Sequence, residues 1–343
     1  MKIKTSFPIL AFVALLSFAS CGGNSKKIEI QTTDSATTKT TATLTKLNEQ
    51  IAADPNNSDL YYQRAKYYLG AKQYNQGIND MLHCLDIDST KAQYFLTLSD
   101  LYFITNKTSN SKTALEKCIK LDDKNVDAML KLAELYFYVK KSDKSIEYIN
   151  MALKVNKYNA KAYFMKGMNY KEIKDTAKAI SSMQTAVEQD QTYYTAYIQL
   201  GILNAAQKNP LAVQYYKNAL RIQPNSTEAL YDLGKYYQDA KDWTQSTEAY
   251  NELLKIDSKY KNAMYNIGVI NMVGKKDYNA ALENFSQAIK IDPTYIEAYY
   301  GRGVCYQSLK DKKNAIIDFQ ACLSINPLYE EAQTALKQLG VGK

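Results

Sequence analysis

Apolar residues recur along most of this chain at helical spacing, in pairs of short segments that polar breaks separate. The stretch from Tyr295 to Pro327 shows the unit, with a break at Lys310-Asp311-Lys312-Lys313. One apolar face precedes the break and a second follows it: Ala298, Tyr299, Gly303 and Tyr306, then Ala315, Phe319, Cys322 and Leu323. Both faces repeat at intervals of three, four and seven residues, which predicts two amphipathic helices joined by a short turn.

The same helix–turn–helix pattern returns eight times. The turns that separate successive units fall at Pro55, Ser89, Asp123, Lys157, Gln191, Pro224, Ser258, Pro293 and Pro327. Six of the eight intervals between them are 34 residues, and the others are 33 and 35. We expect the missing residue, before Leu211, and the additional residue, near Lys276, to lie in turns. Units of this size stack into one open array, so separate compact domains are not expected.

Each unit also combines small and large residues at fixed places. The middle of the first helix carries a small residue: Ala65, Ser99, Ala133, Gly167, Gly201, Gly234, Gly268 and Gly303. The second helix carries a large apolar residue: Met81, Leu115, Ile149, Met183, Tyr216, Tyr250, Phe285 and Phe319. Two antiparallel helices can approach closely where one presents a small residue, and the large side chain then fills the space beside it.

These spacings and residue types resemble the tetratricopeptide repeat (TPR), whose pattern places a small residue, an aromatic residue and a proline at such positions. The resemblance covers residues 58–329 and implies an all-α, right-handed α-α solenoid of eight repeats. A helix over Thr43–Ala53, with Leu44, Leu47 and Ile51 on one stripe, would make residues 43–57 an N-terminal cap. Residues 330–343 would form a C-terminal capping helix that ends at Gly340.

The first residues resemble a bacterial lipoprotein leader. Lys2 and Lys4 precede an apolar run from Phe7 to Ala19, which is too short to span a bilayer comfortably. Ala19 and Ser20 stand directly before Cys21, as small residues do in a lipobox. The resemblance implies a signal peptide over residues 1–20 and diacylglyceryl and palmitate-type acyl chains on Cys21. The alternative is an ordinary cleaved secretory leader with an incidental cysteine.

Residues 21–42 are predicted to be a flexible, lipid-anchored linker, because their Gly-, Ser- and Thr-rich sequence cannot bury enough surface to fold. Such a linker reaches about 25 Å. Gly22 follows the cysteine where an Asp would favour the inner membrane, by analogy with lipoprotein sorting. We therefore expect an outer-membrane lipoprotein in the cell envelope that faces the periplasm, with surface exposure left open.

Charge argues against nucleic acid as a partner. The formal net charge is +8, and removal of a leader containing Lys2 and Lys4 would leave +6. The basic residues are scattered among the repeats, whereas a nucleic-acid interface gathers them on one face. We expect proteins or peptides as partners, with the membrane contacted through the lipid anchor and a homo-oligomer left open.

Residues capable of catalysis or metal binding are sparse. His83 is the only histidine, which removes His-based metal sites and Ser-His or Cys-His catalysis. Cys84, Cys118 and Cys322 occupy the place of a small core residue, whereas Cys305 and Cys322 could pair in an oxidising compartment. We expect no metal, no cofactor and no enzymatic activity.

The resemblance implies that ligands dock on the concave face, which the first helix of each repeat lines. Tyr62 of the first repeat is predicted to be exposed there, and the second to fourth repeats add an apolar strip with two acidic neighbours: Leu96, Asp100, Phe103, Ile104, Leu130, Glu134, Phe137, Tyr138 and Phe164. Exposed apolar surface of this size is typical of a binding site. The alternative is that these residues pack inside a tight superhelix.

The sequence therefore predicts a non-catalytic, lipid-anchored scaffold or adaptor that holds peptide segments or partner proteins. Outer-membrane protein assembly and secretion are candidate processes. The alternatives are a regulator that docks cell-wall hydrolases or another enzyme, and a self-assembling structural unit.

Overall fold

The computed structural model describes residues 34–341, which form helices joined by short turns. The predicted signal peptide, Cys21 and the first part of the linker lie outside the described residues. The helices are α1 (Asp34–Ala53), α2 (Ser58–Gly70), α3 (Tyr74–Ile87), α4 (Ala92–Ile104), α5 (Thr108–Leu121), α6 (Val126–Tyr138), α7 (Ser142–Val155), α8 (Ala160–Glu172), α9 (Thr176–Gln189), α10 (Tyr194–Ala206), α11 (Leu211–Ile222), α12 (Thr227–Asp239), α13 (Trp243–Ile256), α14 (Lys261–Val269), α15 (Tyr278–Ile291), α16 (Ile296–Ser308), α17 (Lys312–Ile325) and α18 (Glu330–Gln338).

The helices pack in consecutive pairs, from α2 with α3 to α16 with α17, and each pair also packs against the next. No strand occurs between residues 34 and 341. The buried apolar residues form a series of neighbouring clusters along the array. This arrangement confirms the predicted all-α solenoid of eight helix–turn–helix repeats.

Every turn inside a repeat contains one residue in the left-handed conformation. Seven are lysines and one is asparagine: Lys72, Asn106, Lys140, Lys174, Lys208, Lys241, Lys276 and Lys310. At the end of α12 the Lys241 amide donates to the Gln238 carbonyl at 3.0 Å, and the next amide donates to the Tyr237 carbonyl at 2.8 Å. These bonds satisfy carbonyl groups that the end of a helix leaves unpaired. The left-handed residue thus reverses the chain within a few residues.

The predicted pairing of small and large residues is the main packing feature of each repeat. A Cβ atom added to Gly303 would lie 2.7 Å from Cε1 of Phe319, so the ring rests directly on the backbone of α16. Four other glycines meet Met183, Tyr216, Tyr250 and Phe285 in the same way. In the first three repeats, Ala65, Ser99 and Ala133 stand opposite aliphatic residues or methionine. The larger ring therefore occurs where the facing residue has no side chain.

The additional residue of the seventh repeat lies inside a helix, which corrects the prediction that it falls in a turn. Helix α14 continues as a π-helical segment over Ile270–Lys275, whose wider turn accommodates one more residue. The left-handed Lys276 then follows in its usual place. The missing residue of the fifth repeat does lie at the turn, where Pro210 precedes a shortened α11.

Both ends of the array carry a single helix. Leu47 and Ile51 of α1 are buried, as the predicted stripe requires. However, α1 begins at Asp34, so the linker predicted to extend to residue 42 is too long at its C-terminal end. The segment from Asp34 contains no Gly or Pro, the two residues that interrupt a helix most strongly. At the other end, α18 is followed by Gly340 with a φ of 79°.

Candidate partner-binding site

The exposed aromatic residues of the predicted strip lie on α4 and α6, the first helices of the second and third repeats. Phe103, Ile104 and Tyr138 are 44%, 46% and 61% exposed. The rings of Phe103 and Tyr138 stack with their centroids 6.3 Å apart and their planes 22° apart. Phe137 is half-buried and packs against Tyr138. Apolar surface thus continues from one repeat to the next.

Leu130 does not belong to this exposed surface, and its prediction as an exposed residue is wrong. It is only 4% exposed and lies in a core cluster with Met129, Ala133 and Ile149. Met165 from α8 packs against the same cluster, so Leu130 faces the neighbouring helices. Leu96 is half-buried beside another cluster, which includes Leu115.

Tyr62 lies apart from the other predicted residues. Its ring packs on Tyr94 with a centroid distance of 5.0 Å, and the ammonium group of Lys66 lies 5.5 Å from its centre. It belongs to the edge of the first repeat's core. The structure therefore brings together the residues of the second to fourth repeats and leaves Tyr62 outside this group.

The two acidic residues of the site make different contacts. Asp100 accepts a hydrogen bond from the Lys131 ammonium group at 2.6 Å, which neutralises this part of the surface. Glu134 accepts one from the Tyr138 hydroxyl at 3.1 Å. Burial, followed by the charge of Glu134, raises the pKa of Tyr138. The hydroxyl therefore remains a protonated donor near neutral pH.

A cavity of about 240 Å³ opens between α6 and α8 and is closed on one side by the turn before α10. We call it the α6–α8 cavity. Its lining residues are Glu134, Phe137, Tyr138, Lys161, Phe164, Met165, Met168, Asn169 and Tyr193. A smaller cavity of about 170 Å³ lies between the second and third repeats and shares Glu134 with the first. The two cavities follow the line of the exposed rings.

Sequence reasoning missed five residues of the α6–α8 cavity. Met165, Met168 and Lys161 come from α8, and the ring of Tyr193 packs at a tilt of 53° against Phe164, with ring centroids 5.0 Å apart. Asn169 carried a signal in the sequence, because none of the equivalent positions of the other seven repeats holds an amide: Tyr67, Leu101, Leu135, Leu203, Tyr236, Ile270 and Cys305. Asn169 is nevertheless only 1% exposed.

A further cavity, of about 340 Å³, lies between the fifth and sixth repeats. Asp232 lines it together with Lys208, Lys235 and Asp239. Burial, and to a smaller extent the charge of Glu228, raises the pKa of Asp232 to about 6. This carboxyl group therefore gains a proton at a higher pH than an exposed aspartate.

The cysteines and the histidine make structural contacts. Cys84, Cys118, Cys305 and Cys322 are buried and free, so the alternative of a Cys305–Cys322 bond is not realised here. Burial raises the pKa of the Cys305 thiol to about 12. His83 is exposed and packs edge-on against Tyr61, with ring centroids 4.3 Å apart. Among the described side chains, those of residues 42–341, no group of three His, Cys, Asp or Glu is arranged to hold a metal ion.

The repeated pairing of antiparallel helices, with first helices that share an exposed surface, defines an α-solenoid repeat protein. Sequence models of the tetratricopeptide repeat match residues 58–91, 92–125, 160–193, 202–261 and 296–329, and a TPR repeat model matches residues 273–310. The chain is therefore a tetratricopeptide-repeat protein. Repeats of this type generally mediate protein–protein or peptide interactions and typically form non-catalytic scaffolds.

Two solved structures illustrate the similarity of fold. The C-terminal part of a TPR repeat-containing protein from Cytophaga hutchinsonii is 20% identical, with a TM-score of 0.63. The alignment covers 72% of this chain and 99% of that one. A tetratricopeptide repeat protein from Parabacteroides merdae is 15% identical with a TM-score of 0.50, over 73% of this chain and 98% of its own. No curated protein sequence matches the chain.

Proposed function

We propose that this chain is a non-catalytic adaptor that binds peptide segments or partner proteins on the first helices of its second to fourth repeats. The observation that carries this proposal is the Phe103–Tyr138 stack, which exposes two large rings across a repeat boundary. The α6–α8 cavity lies beside these rings and shares Tyr138 with them. Exposed apolar surface next to a preformed cavity is typical of sites that bind polypeptide side chains.

We also propose that acyl chains on Cys21 attach the array to the outer membrane, facing the periplasm. The support is the lipobox-like sequence before Cys21 and the Gly at position 22. Several acyl chains on one residue give stable attachment, whereas a single chain is marginal. Within residues 34–341, no helix is both long and apolar enough to cross a membrane. Partners in outer-membrane assembly, in secretion or among cell-wall hydrolases are compatible with this location.

The binding proposal is tested by comparing the proteins that co-purify with the full-length protein and with a Phe103→Ala/Tyr138→Ala variant. Isotope-labelled mass spectrometry measures the amount of each partner. Tyr158→Ala/Leu328→Ala is a matched control, because these side chains are 65% and 81% exposed and lie outside the site. We expect a specific partner to be lost from the first variant and retained by the control. Equal recovery with both variants would overturn the proposal.

Leu130→Ala provides a second control, since it removes a core residue rather than a surface ring. Truncation of a buried leucine costs about 2–5 kcal/mol. We expect this variant to unfold at a lower temperature, whereas Phe103→Ala/Tyr138→Ala keeps its unfolding temperature.

The anchor proposal is tested separately with Cys21→Ser. We expect the variant to appear in the soluble fraction and to lack acyl chains by intact-mass measurement. Retention in the membrane fraction would contradict attachment through Cys21.

A further inference from the structure

Asn169 has a buried amide group whose orientation the structure determines. Its Nδ2 donates to the Met165 carbonyl at 2.9 Å. A carbonyl oxygen can only accept, so the nitrogen of the amide must face it and Oδ1 must face away. Oδ1 is the single buried side-chain oxygen or nitrogen without a hydrogen-bond partner among residues 42–341, whose side chains the structure describes. Such an atom is costly to leave unpaired, which indicates a missing donor.

The cavity that Asn169 lines is suited to an aromatic guest. Phe137, Phe164 and Tyr193 supply rings, and Met165 and Met168 supply thioether groups that adapt to an incoming ring. At about 240 Å³, the cavity is smaller than the 300–1,000 Å³ typical of sites for small-molecule ligands. It therefore has the size for one large side chain of a polypeptide.

The charges at the cavity favour a neutral guest. Glu134 and Lys161 both line it, so their formal charges cancel, and Glu134 already accepts a hydrogen bond from Tyr138. A lysine or arginine guest would have to give up its hydration for a cavity without net charge, which is costly. A leucine or phenylalanine guest would leave Oδ1 of Asn169 unpaired.

We propose that the α6–α8 cavity binds a tryptophan side chain of a partner polypeptide, with the indole N–H donating to Oδ1 of Asn169. This inference rests on the proposed function and names the residue that the site recognises. The indole group is a donor with no acceptor, so its burial against Asn169 leaves no polar atom unpaired on either side. Its ring would pack among Phe137, Phe164 and Met168.

The experiment is a selection of random twelve-residue peptides displayed on phage, with the full-length protein in detergent as bait. Phe103→Ala serves in parallel to identify peptides that use the exposed rings, because Phe103 does not line the α6–α8 cavity. We expect the wild-type protein to enrich peptides with one tryptophan. We expect Asn169→Leu to remove that enrichment, because leucine occupies the equivalent positions of three other repeats and offers no acceptor.

The hydrogen bond is tested on the peptide side, which requires no change in the protein. A selected peptide is synthesised with tryptophan or with 1-methyltryptophan, which lacks the N–H group. We expect methylation to weaken binding about tenfold by calorimetry, the effect of one lost hydrogen bond to a buried acceptor. With Asn169→Leu, the two peptides should bind equally.

The possible results separate the two proposals. Enriched peptides without tryptophan, or tryptophan peptides that bind equally well after methylation, overturn this inference and leave the proposed function intact. Failure of the wild-type protein to enrich any peptide contradicts both.

Discussion

The guanidinium group of Arg302 donates two parallel hydrogen bonds to the carboxylate of Asp318, both at 2.8 Å. Arg64 and Asp80 form the same pair in the first repeat, at 2.7 Å. Each arginine also bonds to the preceding helix, through Ser286 in one case and Asn48 in the other. The first and last repeats therefore each contain an ion pair of the same kind. The arginine of each pair also connects its repeat to the preceding helix.

Loss of one partner of this pair should destabilise the protein strongly. Arg302→Leu leaves the carboxylate of Asp318 buried and without its cation, which costs about 3 kcal/mol. The double variant Arg302→Leu/Asp318→Ala recreates the Leu98 and Ala114 combination of the second repeat, so we expect it to recover most of that loss. Urea unfolding measures both. A double variant as unstable as the single one would contradict this account.

The contact between Gly303 and Phe319 predicts that one substitution lowers the stability of the protein and that a second substitution restores part of it. Gly303→Ala forces a methyl group against the Phe319 ring, and such overpacking costs about 1–3 kcal/mol. Adding Phe319→Met recreates the Ala65 and Met81 combination of the first repeat and should restore part of the stability. Thermal unfolding of the two variants distinguishes this contact from a general intolerance of Ala, which would show no rescue.

Lys241 predicts a gain in stability. Its φ of 61° is unfavourable for a side chain with a Cβ atom, whereas Gly adopts it freely. Lys241→Gly should therefore stabilise the protein by about 0.5–1 kcal/mol. Lys217→Gly is a matched control at an exposed position inside helix α11, where Gly should destabilise the protein by about 1 kcal/mol. Chemical denaturation measures the free energy of unfolding of both variants. A lower free energy of unfolding for Lys241→Gly than for the wild type would contradict this prediction.

The raised pKa of Asp232 predicts that the stability of the protein falls as the pH rises. Its folded-state pKa is about 6, above the ordinary 3.8, so the folded protein binds this proton more tightly than the unfolded chain. The carboxylate therefore destabilises the fold above about pH 6, and this effect disappears as the pH falls toward 4. Asp232→Asn should be more stable than the wild type by about 1 kcal/mol at pH 8, allowing for partial solvent screening.

The difference between the two proteins is measured by urea unfolding at several pH values. It should shrink steadily from pH 8 to pH 4.5. A difference that stays constant would show that the Asp232 carboxyl group keeps an ordinary pKa in the folded chain.

The repeat architecture could be read from the sequence because each residue of the pattern acts within its own helix pair. Gly303 and Phe319 face each other whatever the next repeat does. Leu130 is buried because α8 packs against its cluster, a tertiary contact that the spacing of apolar residues does not encode. The one-residue insertion was misplaced for a similar reason, since a π-helical turn and a longer loop have the same length in sequence.

The sequence shows that the residue type of Asn169 is unusual for its position, but it does not show why. An amide at a position where three other repeats have leucine is visible by comparison of the repeats. Only the packing shows that its oxygen lacks a partner and that a cavity lies beside it.

The left-handed residue at the same step of every turn makes the array modular. Lys140 and Lys174 have nearly the same backbone conformation, with φ angles of 57° and 63°, and they are 34 residues apart. Excision of the segment from one such joint to the next would therefore leave a turn of unchanged geometry. The length of the solenoid can thus change by whole repeats, through duplication or loss of one segment, without a new type of connection between helices.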